Sequence, residues 1–176
     1  MRVSVFIATS LDGYIAKPDG DLDWLVQADK SGGQDDHGYK AFSDSVDCMV
    51  LGRNSFEMVL SFPEWSYEGK RVIVLSNSLK EIPEKAIGKI ELFSGSLTEL
   101  MHKLEQDGCK RLYIDGGKTI QSFLREALIT DMTITTIPIL LGEGIPLFGK
   151  TGKDIELKHV KTESFKSGFV QSTYEL

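Results

Sequence analysis

"YIDGGKTIQSFLREALI" occupies residues 113 to 129. It closes an apolar run that starts at Arg111, stops at two glycines, and then sets Ile120, Phe123, Leu124, Ala127 and Leu128 at the spacing of one helical face. A strand that turns straight into an amphipathic helix is the building step of an α/β sheet. The junction also has chemistry. A helix N-terminus carries unpaired N–H groups and a partial positive charge, and glycine lets an anion approach that backbone. Lys118 and Thr119 follow the glycines. Taken alone, the stretch is either a phosphate site or a tight turn.

Outward from this junction the same alternation continues. Residues 3–8, 48–52, 71–76, 90–93 and 111–115 read as short strands, and 132–141 as a longer one in which Pro138 argues for a bulge or an edge. Residues 155–165 and 169–175 flank Ser167-Gly168 as an antiparallel hairpin. Ser96 and Glu99 form a capping box ahead of Leu97, Leu100, Met101 and Leu104, and Gly108 ends that helix. Further helices are expected near 36–44 and 54–61. The polar, turn-rich stretch 17–38 reads as a long loop of the kind that often serves as a lid.

At 176 residues, 41% hydrophobic and 26% charged, the chain suits one domain, residues 1–176, with a real core. A net charge of −6 argues against nucleic acid or an anionic membrane as the main partner. No apolar run approaches the roughly 20 residues that span a bilayer, and the N-terminus lacks a signal-peptide pattern. We expect a cytosolic protein. Cys48 and Cys109 have no cysteine near them in sequence, so buried free thiols are expected rather than a disulfide or zinc site. His37, His102 and His159 share no metal-ligand spacing, His102 falls on the polar side of its helix, and no metal is expected.

Two more junctions suit anions. In "LGRNSFE" (51–57), Gly52 permits a sharp exit, Arg53 offers a guanidinium fork and Ser55 a hydroxyl near the helix start. In "VLSNS" (74–78), hydroxyl and amide groups follow a strand. Each alone is compatible with capping and turn chemistry. Three such junctions at the carboxyl ends of neighbouring strands fall where open α/β sheets bind ligands. No G-x-G-x-x-G fingerprint, Walker lysine loop or nucleophile elbow is present in the required context.

"ATSLDGYIA", "VLGRNSFE", "RVIVLS", "IDGGKTIQSFL" and "IPILLGEGIPLF" occur in the order found in the dihydrofolate reductase-like superfamily. The chain most resembles its branch containing the reductase domain of riboflavin biosynthesis, the RibD C-terminal type, from residue 3 to about 175. The resemblance implies a three-layer α/β fold: a central mixed, mostly parallel sheet of about eight strands, four flanking helices and a C-terminal antiparallel hairpin. It implies NADPH as cofactor. Gly52, Arg53, Asn54 and Ser55 would meet the adenosine 2′-phosphate and pyrophosphate, and Leu75, Ser76 and Asn77 the adenosine side. Gly116, Gly117, Lys118, Thr119 and Ile120 would cradle the pyrophosphate, with backbone near Ala8, Ile15 and Ala16 at the nicotinamide carboxamide.

On the substrate side, counting back from Gly52 places Asp36 where dihydrofolate reductases keep the carboxylate that aids protonation. A partly buried acid there would have a raised pKa. A solvated acid or helix cap is the alternative, and Asp35 and Asp29 lie close enough for a register shift. Asp12 is a turn residue or approaches substrate, Trp24 packs under the lid or walls the pocket, and Thr135 is a plain strand residue or a pterin contact. Read without gaps, the position of the arginine that forks onto a folate tail holds Lys70, a point charge, and the adjacent Arg71 would substitute only if the register slips. The deaminase motifs H-x-E and P-C-x-x-C are absent, which implies a stand-alone reductase domain. The resemblance thus implies reduction of 5-amino-6-(5-phosphoribosylamino)uracil, with dihydrofolate reduction or an idle NADPH-binding module as alternatives. A homodimer is expected, because "MTITTIPILL" and its continuation hold more apolar surface than one edge can expose.

Overall fold

The computed structural model describes residues 1–32 and 35–176. In chain order the elements are β1 (Arg2–Ser10), β2 (Tyr14–Ala16), α1 (Asp23–Gly32), α2 (Tyr39–Asp44), β3 (Cys48–Gly52), α3 (Arg53–Ser61) and β4 (Arg71–Leu75). A 3-10 turn (Glu84–Ala86) precedes β5 (Glu91–Phe93), α4 (Leu97–Gln106), β6 (Arg111–Asp115), α5 (Gly117–Arg125) and β7 (Asp131–Ile137). The chain closes with β8 (Ile145–Pro146), β9 (Lys158–Ser164) and β10 (Val170–Glu175).

The main sheet runs β5-β4-β3-β6-β1-β7-β10-β9. Its first six strands are parallel, and β10 and β9 form the antiparallel hairpin at one end. Alternation divides each strand between two apolar layers. Val3, Val5, Cys48, Val50, Leu112 and Ile114 pack against Leu100 and Leu104 of α4 and Ile120 and Phe123 of α5. Met49, Leu51, Val72, Val74 and Tyr113 pack against Phe42 of α2 and Phe56 of α3. The expected α/β architecture and C-terminal hairpin are therefore present, and the capping box forms, with Ser96 N–H donating to Glu99 at 2.7 Å. Cys48 is buried, which pushes its thiol pKa up to about 12, and Cys109 is half-buried; both are free.

Two expectations are corrected, and one element is added. The presumed loop at 17–38 contains α1, a fifth helix. Its polar composition hid an apolar stripe in which Trp24, Leu25 and Ala28 pack with Ile137 and Phe169. Strand β7 stops at Ile137, immediately before Pro138, and is an interior strand between β1 and β10 rather than an edge or bulge. Finally, β2 and β8 pair in a small antiparallel sheet that no sequence pattern announced. It lays the segment around Ile145 over the start of α5.

Candidate functional site

Parallel register sets the carboxyl ends of the strands side by side. Leu51 lies beside Asp115, and Gly52 beside Leu75. Helices α3 and α5 begin there, and their first turns converge. A Cβ on Gly52 would stand 2.6 Å from the Thr119 hydroxyl, and one on Gly116 would overlap the Ser55 hydroxyl. Gly116 also has φ +93°, a conformation other residues rarely adopt. Two helix N-termini and two side-chain hydroxyls, of Ser55 and Thr119, therefore share one small volume. Gly117 differs: its bare face receives the Pro146 carbonyl (3.0 Å from an added Cβ) and Ile15 Cδ1 (3.1 Å), so strand β8 occupies that approach.

Arg53 leaves the start of α3 toward the end of β4. Its Nη1 donates to Ser78 Oγ at 2.9 Å and its Nε lies 3.6 Å from Glu57. Ser76 Oγ accepts from Leu79 N–H at 2.9 Å, folding the 76–79 turn, and Leu75 is half-buried beneath it. Asn54, Asn77 and Lys118 are exposed, whereas Ile120 is buried in the core and has only backbone to offer. If Arg53 grips a 2′-phosphate, Arg53→Ala weakens NADPH by about ten- to hundredfold and leaves NADH nearly unchanged. Titration of both cofactors checks this, and equal losses would remove Arg53 from that role.

Beside these junctions lies a cavity of about 450 Å³. Phe6, Ile7 and Ala8 of β1, Tyr113 and Asp115 of β6 and Thr135 and Ile137 of β7 form its floor, with Ile15, Ser55 and Gly116 toward the helix starts. Ala16 is buried in β2 and is not among the lining residues. Leu22, Leu25 and Val26 form one wall and Met58, Val59 and Phe62 another.

Asp115 is the recessed acid of this cavity. Burial raises its carboxyl pKa, opposed in part by the Gly116 N–H. Three phenols surround it. Tyr39, Tyr67 and Tyr113 are all pushed up, first by burial and then by the charge of Asp115. Tyr113 donates to the Phe6 carbonyl at 2.9 Å. Asp36 has the opposite environment. It is exposed at the cavity rim, and accepts from Lys40 N–H at 2.8 Å and Gly38 N–H at 3.0 Å. Those bonds lower its pKa. The raised pKa expected of Asp36 is not found, because the carboxylate is taken up in starting α2.

The other substrate-side positions separate. Thr135 lines the cavity and accepts from Gln171 Nε2 at 3.0 Å; the same nitrogen donates to the His37 carbonyl at 2.9 Å. Trp24 is buried behind the wall against Ile137 and Phe169 and does not line the cavity. Asp12 lies outside the cavity and clasps two loops, accepting from Ser10 Oγ at 2.6 Å, Gly142 N–H at 2.8 Å and Leu141 N–H at 3.1 Å. Sequence reasoning missed Asp115, the phenols, Gln171 and His37. Only Asp115 left a local signal, an acid closing an apolar strand immediately before the glycines. Among the described residues no group of three or more His, Cys, Asp or Glu could hold a metal, and no helix is long and apolar enough to cross a membrane.

This sheet order, the terminal hairpin and the cavity at the strand ends define a dihydrofolate reductase-like fold. Dihydrofolate reductase from Enterococcus faecalis, solved with NADP(H) and RAB-propyl, superposes with a TM-score of 0.66 at 17% identity, covering 99% of this chain and 95% of that one. Within that class, the chain belongs to the RibD C-terminal domain family, whose pattern matches residues 2–171. A putative riboflavin biosynthesis protein from Shewanella sp. PV-4 is 45% identical with a TM-score of 0.94, covering 99% of this chain and 98% of that one. The YwjB protein of Bacillus subtilis (strain 168) is 34% identical over 166 residues, 93% of this chain and 92% of the relative.

Proposed function

We propose that the chain is an NADPH-dependent reductase acting on a C=N or C=O carbon of a small pyrimidine-type heterocycle. The observation that carries this reading is the meeting of two helix N-termini, free of Cβ atoms at Gly52 and Gly116, with a recessed carboxyl in an apolar cavity. That cradle fits a pyrophosphate. NADPH would supply the hydride at nicotinamide C4. The chain's own residues then have separable tasks. Ser55, Thr119 and the first turns of α3 and α5 hold phosphate, and Arg53 with the 76–79 turn holds the adenosine end. Ala8 and Ile15 pack beside the reacting rings. Asp115 gives a proton to the nitrogen or oxygen next to the reduced carbon, so that C=N becomes CH–NH or C=O becomes CH–OH. The apolar walls of Leu22, Leu25, Met58 and Val59 flank the reacting rings.

Family membership and the similar Shewanella protein favour a riboflavin-type pyrimidine such as 5-amino-6-(5-phosphoribosylamino)uracil. Folate is disfavoured by two contacts. Lys70 Nζ is spent on the Ser43 carbonyl at 2.7 Å, and Arg71 pairs with Glu91 and Asp107. Neither is free to fork onto a glutamate tail. The test is NADPH oxidation with dihydrofolate and the ribosylaminopyrimidine phosphate side by side. We expect turnover of the pyrimidine and a KM for dihydrofolate well above the micromolar range. Efficient dihydrofolate reduction would overturn the assignment, and tight NADPH binding with neither substrate consumed would mark a nucleotide-binding module.

A homodimer belongs to the same reading, through the end of the expected stretch rather than through its strand. Strand β7 is covered by β1 and β10, but Leu140 (68% exposed) follows it and Leu11 (64% exposed) sits on the adjoining loop, where Leu11 N–H donates to the Ile139 carbonyl at 2.8 Å. Light scattering at micromolar concentration is expected to give the dimer mass. A monomer would remove this assembly.

A further inference from the structure

The cavity floor carries a hydrogen-bond polarity that bears on the substrate ring. Gln171 of β10 stands directly opposite Thr135 of β7 in the antiparallel register, so the two side chains share one face of the sheet, the face on which Thr135 lines the cavity. Both residues are only 5% exposed, so any polar hydrogen left unpaired there is costly. The orientation of the Gln171 amide is forced. Its partner at 2.9 Å is the His37 carbonyl, which can only accept, so the amide nitrogen faces that side. The other hydrogen of the same nitrogen goes to Thr135 Oγ1 at 3.0 Å. Thr135 is thereby an acceptor toward Gln171, and its own hydroxyl proton is taken by no described residue. His37 is held firmly in its turn. Its backbone is left-handed, at φ +52°, and its ring stacks on Phe169 (centroids 4.9 Å) and meets Phe165 edge-on (4.6 Å).

Thr135 therefore meets a ligand as a donor. An oxo oxygen or an unprotonated ring nitrogen completes it. An amino or ring N–H group finds only the remaining lone pair and strands the buried hydroxyl proton. Strand β7 is two strands from β6, whose Asp115 is the proposed proton donor. That separation is roughly 10 Å across the sheet, the width of a six-membered ring hydrogen-bonded at both edges. Resting on the reductase reading above, we infer that the edge of the heterocycle seated on Thr135 is a hydrogen-bond acceptor, and that Gln171 is the positioning residue that enforces this choice.

Calorimetry with three probes tests this: 5,6-diaminouracil and the two analogues in which its 2-oxo or its 4-oxo group is replaced by amino, each titrated with and without NADPH. At least one analogue is expected to bind about tenfold or more weakly than the dione. Gln171→Glu sets an acceptor against Thr135 and draws its hydroxyl proton away from the cavity, so that ratio should shrink at least about fivefold or invert. Independently, Thr135→Val should bring the ratio near unity, whereas Thr135→Ser, which keeps the hydroxyl, should retain it. Each variant is checked by thermal melt and for unchanged NADPH affinity. A merely structural Gln171 would weaken all three probes alike and leave the ratio intact, which overturns the inference. So do equal wild-type affinities for the three probes, binding of none of them, or a preference that survives Thr135→Val. Failure of the wild type to bind NADPH, with the oxo preference present, would sink the reductase reading and leave the polarity of Thr135 standing.

Discussion

Gly116→Ala is expected to cut NADPH affinity more than a hundredfold while the protein still folds. At φ +93° an alanine is strained by about 1–3 kcal/mol. Its Cβ also overlaps the Ser55 hydroxyl, and relief requires the starts of α3 and α5 to part. Those termini are the proposed phosphate grip. Losing two charge-assisted bonds, each worth about 1.5–3 kcal/mol, gives the stated loss. Gly108→Ala is the control, since φ there is +80° with nothing within 4 Å of an added Cβ. It should lower the melting temperature without touching NADPH. A Gly116→Ala protein that binds NADPH normally would show that the junction is only a turn.

For Asp115→Asn we expect turnover to fall about 10²- to 10⁴-fold, the range for removing a positioned proton donor, with NADPH binding unchanged. Stability should move the other way. Burial raises the folded-state pKa of Asp115 above the unfolded value near 3.8, so the native state binds the proton more tightly. Stability therefore declines as pH rises through the folded pKa and the carboxylate ionises. Asparagine removes that cost, so the variant should melt at the same temperature as the wild type or higher at pH 7, with the gain gone below about pH 3.8. Asp36 has the reverse linkage: its depressed pKa gives stability above the unfolded value that is lost as pH falls through the folded one. Asp36→Asn should cost far less turnover. Equal kinetic losses in the two variants would return the proton to Asp36.

The parallel strands and their glycine exits were legible because the signals are local: a short apolar run, a bare backbone position, then a 3.6-residue repeat. For the same reason the residues that converge at these junctions, Gly52, Ser55, Gly116 and Thr119, could be named before any coordinates. Helix α1 was not legible, since its few apolar residues are diluted by Asp23, Gln27, Asp29 and Lys30 and its order comes from Trp24 meeting strands over a hundred residues away. Strands β2 and β8, at three and two residues, are too short for alternation to register. The cavity chemistry was the least visible. Tyr39, Tyr67 and Asp115 come from three separate segments, and only tertiary packing makes one acid site of them. Counting back from Gly52 located Asp36 but could not reveal that Gly38 and Lys40 N–H groups consume its charge.

Strand order also sets a timetable for biosynthesis. Strand β1 leaves the ribosome before the other strands of the sheet, yet it lies in the middle of it, and both its neighbours, β6 and β7, are made more than a hundred residues later. The nascent chain must keep that apolar strand unpaired until Arg111 and beyond have emerged, which exposes it to misassociation. Once residue 125 has emerged, both helix starts of the proposed phosphate grip are available. The wall at His37 and Thr135 is tied down only by Gln171, close to the end of the chain. On the proposed reading, a growing polypeptide acquires the means to hold a nucleotide before it has a finished chamber in which to use one.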